Sequence, residues 1–112
     1  MGIVYFIQPA TLINTDRYKI GRSSLNDLSR LKAYLKNTRY LSIIEVEDDK
    51  YVELKLIKHF TEKYKLLAGN EYFIGNELDM LSDFNNIVYE TLKEIKNKPD
   101  VTWMERFAFK KK

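Results

Sequence analysis

Ile3-Val4-Tyr5-Phe6-Ile7-Gln8, followed after Pro9 and a loop by Arg17-Tyr18-Lys19-Ile20-Gly21-Arg22, is the stretch on which the fold turns. Its first half is β-branched and aromatic almost throughout, the composition of a strand. Pro9 ends that strand because it lacks a backbone donor. Residues 10–16 form a polar-leaning loop with turn formers at its end, and a second strand runs from Arg17 to Arg22. Two short strands joined by a loop predict an antiparallel hairpin. Side chains alternate along a strand, so Lys19 and Gly21 share one face while Tyr18 and Ile20 share the other. Gly21 leaves room for a backbone or a substrate to approach.

Outward from the hairpin, Ser24 or Asn26 is placed to cap a helix reaching about Asn37, with Leu25, Leu28, Leu31 and Leu35 as its buried stripe. Residues 40–47 read as a third strand. Asp48 or Asp49 then caps a second helix ending near Leu67, with Leu56, Ile57, Phe60, Tyr64 and Leu67 on one arc. Ala68-Gly69-Asn70 breaks that pattern, and residues 71–74 form a short extended segment. Asn76 caps a third helix with Leu81, Phe84, Val88, Leu92 and Ile95 on one face, and Pro99 closes it. The expected architecture is α+β: a small three-stranded sheet, made of the β-hairpin plus a third strand, flanked by helices. One domain over residues 1–97 is expected, then an aromatic and basic tail over 98–112 that holds Trp103, Phe107, Phe109 and three terminal lysines.

The 112 residues contain no cysteine, which removes disulfides and thiolate metal sites and suits a reducing, intracellular compartment. A single histidine removes multi-histidine zinc sites. Any metal would rest on oxygen donors, which favours Mg2+ or Mn2+. No apolar run approaches the roughly 18 residues that span a bilayer, so no membrane partner is expected. The N-terminus has no basic stretch of the kind that opens a signal peptide. A net charge of +3, from 19 basic and 16 acidic side chains, permits a polyanionic partner without demanding one.

Four polar side chains stand out. Glu53 falls near the middle of the apolar arc of the second helix, a costly place for a carboxylate unless it is paired or holds a metal. It would equally serve as an acidic residue near a helix N-terminus, kept wet at the end of the core. Arg30 lies opposite the leucine stripe of the first helix, with Tyr34 four residues on and on the same side; alone, it reads as a solvated arginine. Tyr5 in isolation reads as a core aromatic. Lys19 sits on the facing strand.

Taken in order, these elements are more specific than any one of them. Ile3-Val4-Tyr5-Phe6-Ile7 and Tyr18-Lys19-Ile20-Gly21-Arg22-Ser23 resemble the paired motifs of GIY-YIG nucleases. A helical arginine follows, as Arg30 does, then a strand and a helix carrying a glutamate, as Glu53 does. Asn70-Glu71-Tyr72-Phe73 is similar to the Gly-Glu-Trp-Phe-like element of the phage T5 orf172-like branch. With Tyr5 on the motif tyrosine, the glycine of the first motif falls on Ile3, and Gly2 comes one place early. The tyrosine of the second motif falls on Lys19, as is common in that branch. The resemblance spans about residues 2–75.

The resemblance implies a viral or phage endonuclease that hydrolyses DNA phosphodiesters with one divalent ion, Mg2+ or Mn2+. Glu53 would hold the metal. Tyr5 would act as general base toward water, or orient it, and Arg30 would brace the scissile phosphate. A free phenol has a pKa near 10, too high for a base at neutral pH. Lys19 would lower it if the hairpin brings its ammonium within about 4–6 Å. Arg22, Tyr34, Lys32, Lys36 and Arg39 would line the DNA path, although a solvated helix face explains these cations as well. The alternative from another class is a nucleic-acid-binding module that has kept the fold and lost cleavage. A third is a protein-interaction domain that uses the aromatic tail.

Overall fold

In a computed structural model the described residues are 2–24, 36–69 and 71–97. The expected first helix, with Arg30, Lys32 and Tyr34, lies outside them, as do Pro99 and the tail. The strands are β1 (Gly2–Gln8), β2 (Arg17–Ser23), β3 (Arg39–Val46), β4 (Lys65–Ala68) and β5 (Tyr72–Ile74). The helices are α1 (Asp49–Lys63) and α2 (Glu77–Asn97), and a short 3-10 turn covers Ala10–Leu12. The strands form one antiparallel sheet in the order β3-β1-β2-β5-β4.

The three-stranded sheet expected from the sequence is therefore corrected to five strands. The α+β class and the β1–β2 hairpin stand, with Tyr5 opposite Gly21 and Ile7 opposite Lys19. The short extended segment at 71–74 joins the sheet as β5, and the run read as the end of the second helix supplies β4. α1 stops at Lys63, and Tyr64 is already extended at φ −117°, ψ 158°. Leu66 then pairs with Phe73 across a turn in which Gly69 takes φ +56°, a conformation that glycine reaches without a Cβ penalty. Helical spacing extends through Leu67, but Leu67 lies in β4 and is exposed. Tyr64 fixes the change of direction. Its hydroxyl donates to Asp83 on α2 at 2.5 Å, and its ring lies where a side chain at Gly75 would have to sit.

β1 is buried along its whole length, as a near-continuous apolar run predicts. Val4, Phe6, Tyr18, Ile20, Val46 and Phe73 form a core with Val52, Leu56 and Phe60 of α1 and Met80, Phe84 and Val88 of α2. Phe6 is central to it, with its ring 5.4 Å from Tyr18 and 5.7 Å from Phe84. The opposite face of β1 buries Ile3, Tyr5 and Ile7 as a separate cluster. No described helix is long and apolar enough to cross a membrane.

A polar network ties the start of α2 to the sheet. Asn76 caps the helix, accepting from the Asp79 N–H at 3.1 Å. Arg39 donates to both Glu77 carboxylate oxygens, at 2.6 and 3.0 Å, and to Gln8 Oε1 at 2.7 Å. Tyr18 donates to Glu77 at 3.0 Å. Arg39, expected along the DNA path, pairs with Glu77 of α2 and stays 45% exposed. The Arg39 hydrogen bond holds the Glu77 carboxyl below its ordinary pKa against the opposing effect of desolvation. A depressed folded-state pKa gives stability that is present above the unfolded value and lost as pH falls through the folded one. Glu77→Gln is therefore expected to cost about 1 kcal/mol at pH 7, limited by the exposure of Arg39. Its cost should shrink under acidic conditions. Urea midpoints at pH 7 and pH 3 measure both, and an equal loss at the two values would contradict the linkage.

Candidate active site

The hairpin register assembles one part of the site. Tyr5, Gly21 and Lys19 share the sheet face away from the helices, since Tyr5 opposes Gly21 and Lys19 opposes Ile7. A Cβ at Gly21 would fall 2.5 Å from Cε1, Cζ and Oη of Tyr5. The Tyr5 ring therefore reaches from β1 across β2, and its hydroxyl lies over the Gly21 backbone. Tyr5 is only 1% exposed.

Lys19 is the diagonal neighbour of Tyr5 on this face. Its Nζ sits 5.2 Å from the centre of the Tyr72 ring and 3.6 Å from Glu71 Oε2, so its charge is drawn toward β5. Lys19 pairs directly with Tyr72 across the strands. The aromatic of the Asn70-Glu71-Tyr72-Phe73 element is thus a platform for the ammonium, while Phe73 turns inward to the core. That division of labour follows from strand alternation once β5 is recognised as a strand.

Glu53 comes from the other side of the sheet. Arg22 opposes Val4, which directs its side chain toward α1. Its Nε donates to Glu53 Oε1 at 3.2 Å and its Nη1 to Asp49 Oδ2 at 3.0 Å. Ser24 accepts from Nη1 at 3.0 Å and donates to Asp49 Oδ2 at 2.9 Å. Desolvation would raise the Asp49 pKa, but the Ser24 and Arg22 hydrogen bonds outweigh it and hold the carboxyl below its usual range. Arg22, expected to track a DNA backbone, meets these two carboxylates in the folded protein.

Asp49 was not foreseen as a site residue. Asp48 and Asp49 both suit a helix start, and Asp48 is the one that caps, accepting from Tyr51 N at 3.1 Å. Asp49 is left to face Arg22, four residues before Glu53 on the same helix face. The tandem aspartates were the available signal, because one helix needs only one cap. Gly2 also acquires a role. A Cβ there would meet the Ser23 carbonyl oxygen and lie 2.8 Å from the Asp49 carboxylate.

The two parts meet at a corner of the sheet. Gly21, under Tyr5, and Arg22, holding Glu53, are consecutive on β2. β5 pairs with β2 only at Arg17, Tyr18 and Lys19, with one further backbone bond from Ile20 N to Glu71 O. Beyond it, no described strand covers the outer edge of β2 at Gly21–Ser23. Tyr5 lies on one face of this end of β2 and Glu53 and Asp49 on the other, and Gly21 and Ser23 between them are buried.

The donor set suits a hard divalent ion. Glu53 and Asp49 supply carboxylate oxygens, and a cation, the Arg22 guanidinium, already sits between them. The described residues offer no cluster of three or more His, Cys, Asp or Glu side chains placed around a metal, so water and phosphate would complete the shell, as is usual for magnesium. Lys36 is exposed at the start of the turn before β3. Among known proteins, no family model, curated protein or solved structure matches the chain.

Proposed function

We propose that the chain is a metal-dependent endonuclease that hydrolyses DNA phosphodiesters at the Gly21–Ser23 end of β2. The observation that carries this reading is the seating of the Tyr5 hydroxyl over Gly21, one residue from the arginine that contacts Glu53. Tyr5 takes a proton from the attacking water or orients it. Lys19, diagonal to it on the same face, is the cation proposed to assist it. Glu53 would hold the metal, with Asp49 four residues away, and Arg30 is the proposed clamp on the phosphate. Such an ion, when bound, would supply Lewis acidity to the phosphate.

The runner-up is a DNA-binding module without cleavage. It is favoured by the burial of Tyr5 and by the guanidinium already opposite Glu53. Incubation of supercoiled plasmid with Mg2+ or Mn2+ separates the two readings. Nicking by the wild type that is lost in Glu53→Ala and weakened at pH 7 in Lys19→Met supports the enzyme. A salt-dependent gel shift with no nicking supports the binding module. Nicking at full rate in Glu53→Ala removes Glu53 from the mechanism.

A further inference from the structure

We infer that Arg22 is a built-in counter-ion for Glu53 and Asp49, which a divalent cation displaces when it binds. This inference rests on the metal-binding reading of Glu53. The guanidinium spans the pair, Nε at 3.2 Å from Glu53 Oε1 and Nη1 at 3.0 Å from Asp49 Oδ2. Asp49 is nearly buried and Glu53 largely so, with side chains 7% and 19% exposed. Two carboxylates on one helix face in a partly desolvated corner repel each other, so the fold needs a cation there. In the metal-free protein Arg22 is that cation.

A divalent ion bonded to a Glu53 oxygen would lie within a few ångströms of the guanidinium, and at that distance two positive charges repel strongly in a partly buried site. Displacement has a direction, because the Arg22 side chain, on the Gly21–Ser23 edge of β2, is about one third exposed. A phosphate at that edge accepts the guanidinium that the carboxylates release. Metal and polyanion binding are then coupled through one side chain, with Asp49 and Ser24 positioning it in the metal-free state.

Mn2+ titration without DNA, read by the electron paramagnetic resonance of free Mn2+, tests this on the intact chain. Removal of one adjacent positive charge in Arg22→Gln is expected to tighten Mn2+ binding by about tenfold. Arg22→Lys keeps the charge and is expected to stay near wild type. The double variant Arg22→Gln/Glu53→Gln is expected to lose the gain. Should Arg22→Gln fold poorly, the 15N–1H signal of Arg22 Nε in the wild type gives the same information, and it is expected to shift as Mg2+ is added. Mn2+ binding that is weakened by Glu53→Gln but indifferent to Arg22→Gln overturns the displacement and leaves Glu53 as a metal ligand. An unmoved Arg22 Nε signal at Mg2+ saturation overturns it likewise. No Mn2+ binding by either the wild type or Arg22→Gln overturns the displacement and the metal reading together.

Discussion

Phe60→Ala is expected to destabilise the fold by about 3–5 kcal/mol, a large share of the roughly 5–15 kcal/mol that holds a domain together. Phe60 is fully buried on α1. Its ring lies 6.2 Å from Phe6, 5.5 Å from Phe73 and 5.0 Å from Tyr64. It therefore joins the helix both to the central hairpin and to the β4–β5 pair. Alanine would leave a cavity bordered by three rings on different elements, and such a site relaxes poorly. Leu54 on the same helix is 65% exposed, and its replacement by alanine should change stability by no more than about 0.5 kcal/mol. Urea unfolding followed by circular dichroism measures both. Similar midpoints for the two variants would mean that α1 does not pack on the sheet as described.

Gly21→Ala is expected to damage the site and the fold together. The added Cβ would lie 2.5 Å from three atoms of the Tyr5 ring, and Tyr5 is buried, so it has no low-cost way to move aside. Overpacking of this kind typically costs about 1–3 kcal/mol. On the proposed mechanism the hydroxyl also shifts by an ångström or so, a displacement that can cost about 100-fold in rate. Nicking should be compared at a temperature where both proteins are folded, with Tyr5→Phe and the double variant alongside. Residues that act through one contact give non-additive effects, so adding Gly21→Ala to Tyr5→Phe should cost little further activity. Full activity in Gly21→Ala would show that the placement of Tyr5 over β2 is irrelevant to cleavage.

The hairpin was legible because its information is local. A β-branched run, Pro9, a polar loop and Gly21 specify two strands and the face each residue takes, and the register agrees with that reading. The caps were legible for the same reason: Asn76 caps α2, and of the two candidates Asp48 and Asp49 it is Asp48 that caps α1. Glu53 was singled out because a carboxylate on an apolar arc breaks a local pattern. β4 was not legible, because Leu67 continues the helical spacing of Phe60 and Tyr64. Gly69-Asn70 between two short apolar runs is a hairpin signal, and in the reading of the sequence the longer helical period overrode it.

The amino-acid order settled whatever depends on neighbours along the chain: strand alternation, helix starts, the facing of Lys19 with Gly21, and the absence of cysteine. It left open the partners that charged side chains take across the fold. Arg22 read as a backbone-tracking cation and turned onto Asp49 and Glu53; Arg39 read the same way and was taken up by Glu77. A guanidinium has a long stem and several donors, so its partner depends on which carboxylate the packing of a distant element brings within about 3 Å. Only the docking of α1 and α2 on the sheet chooses among them.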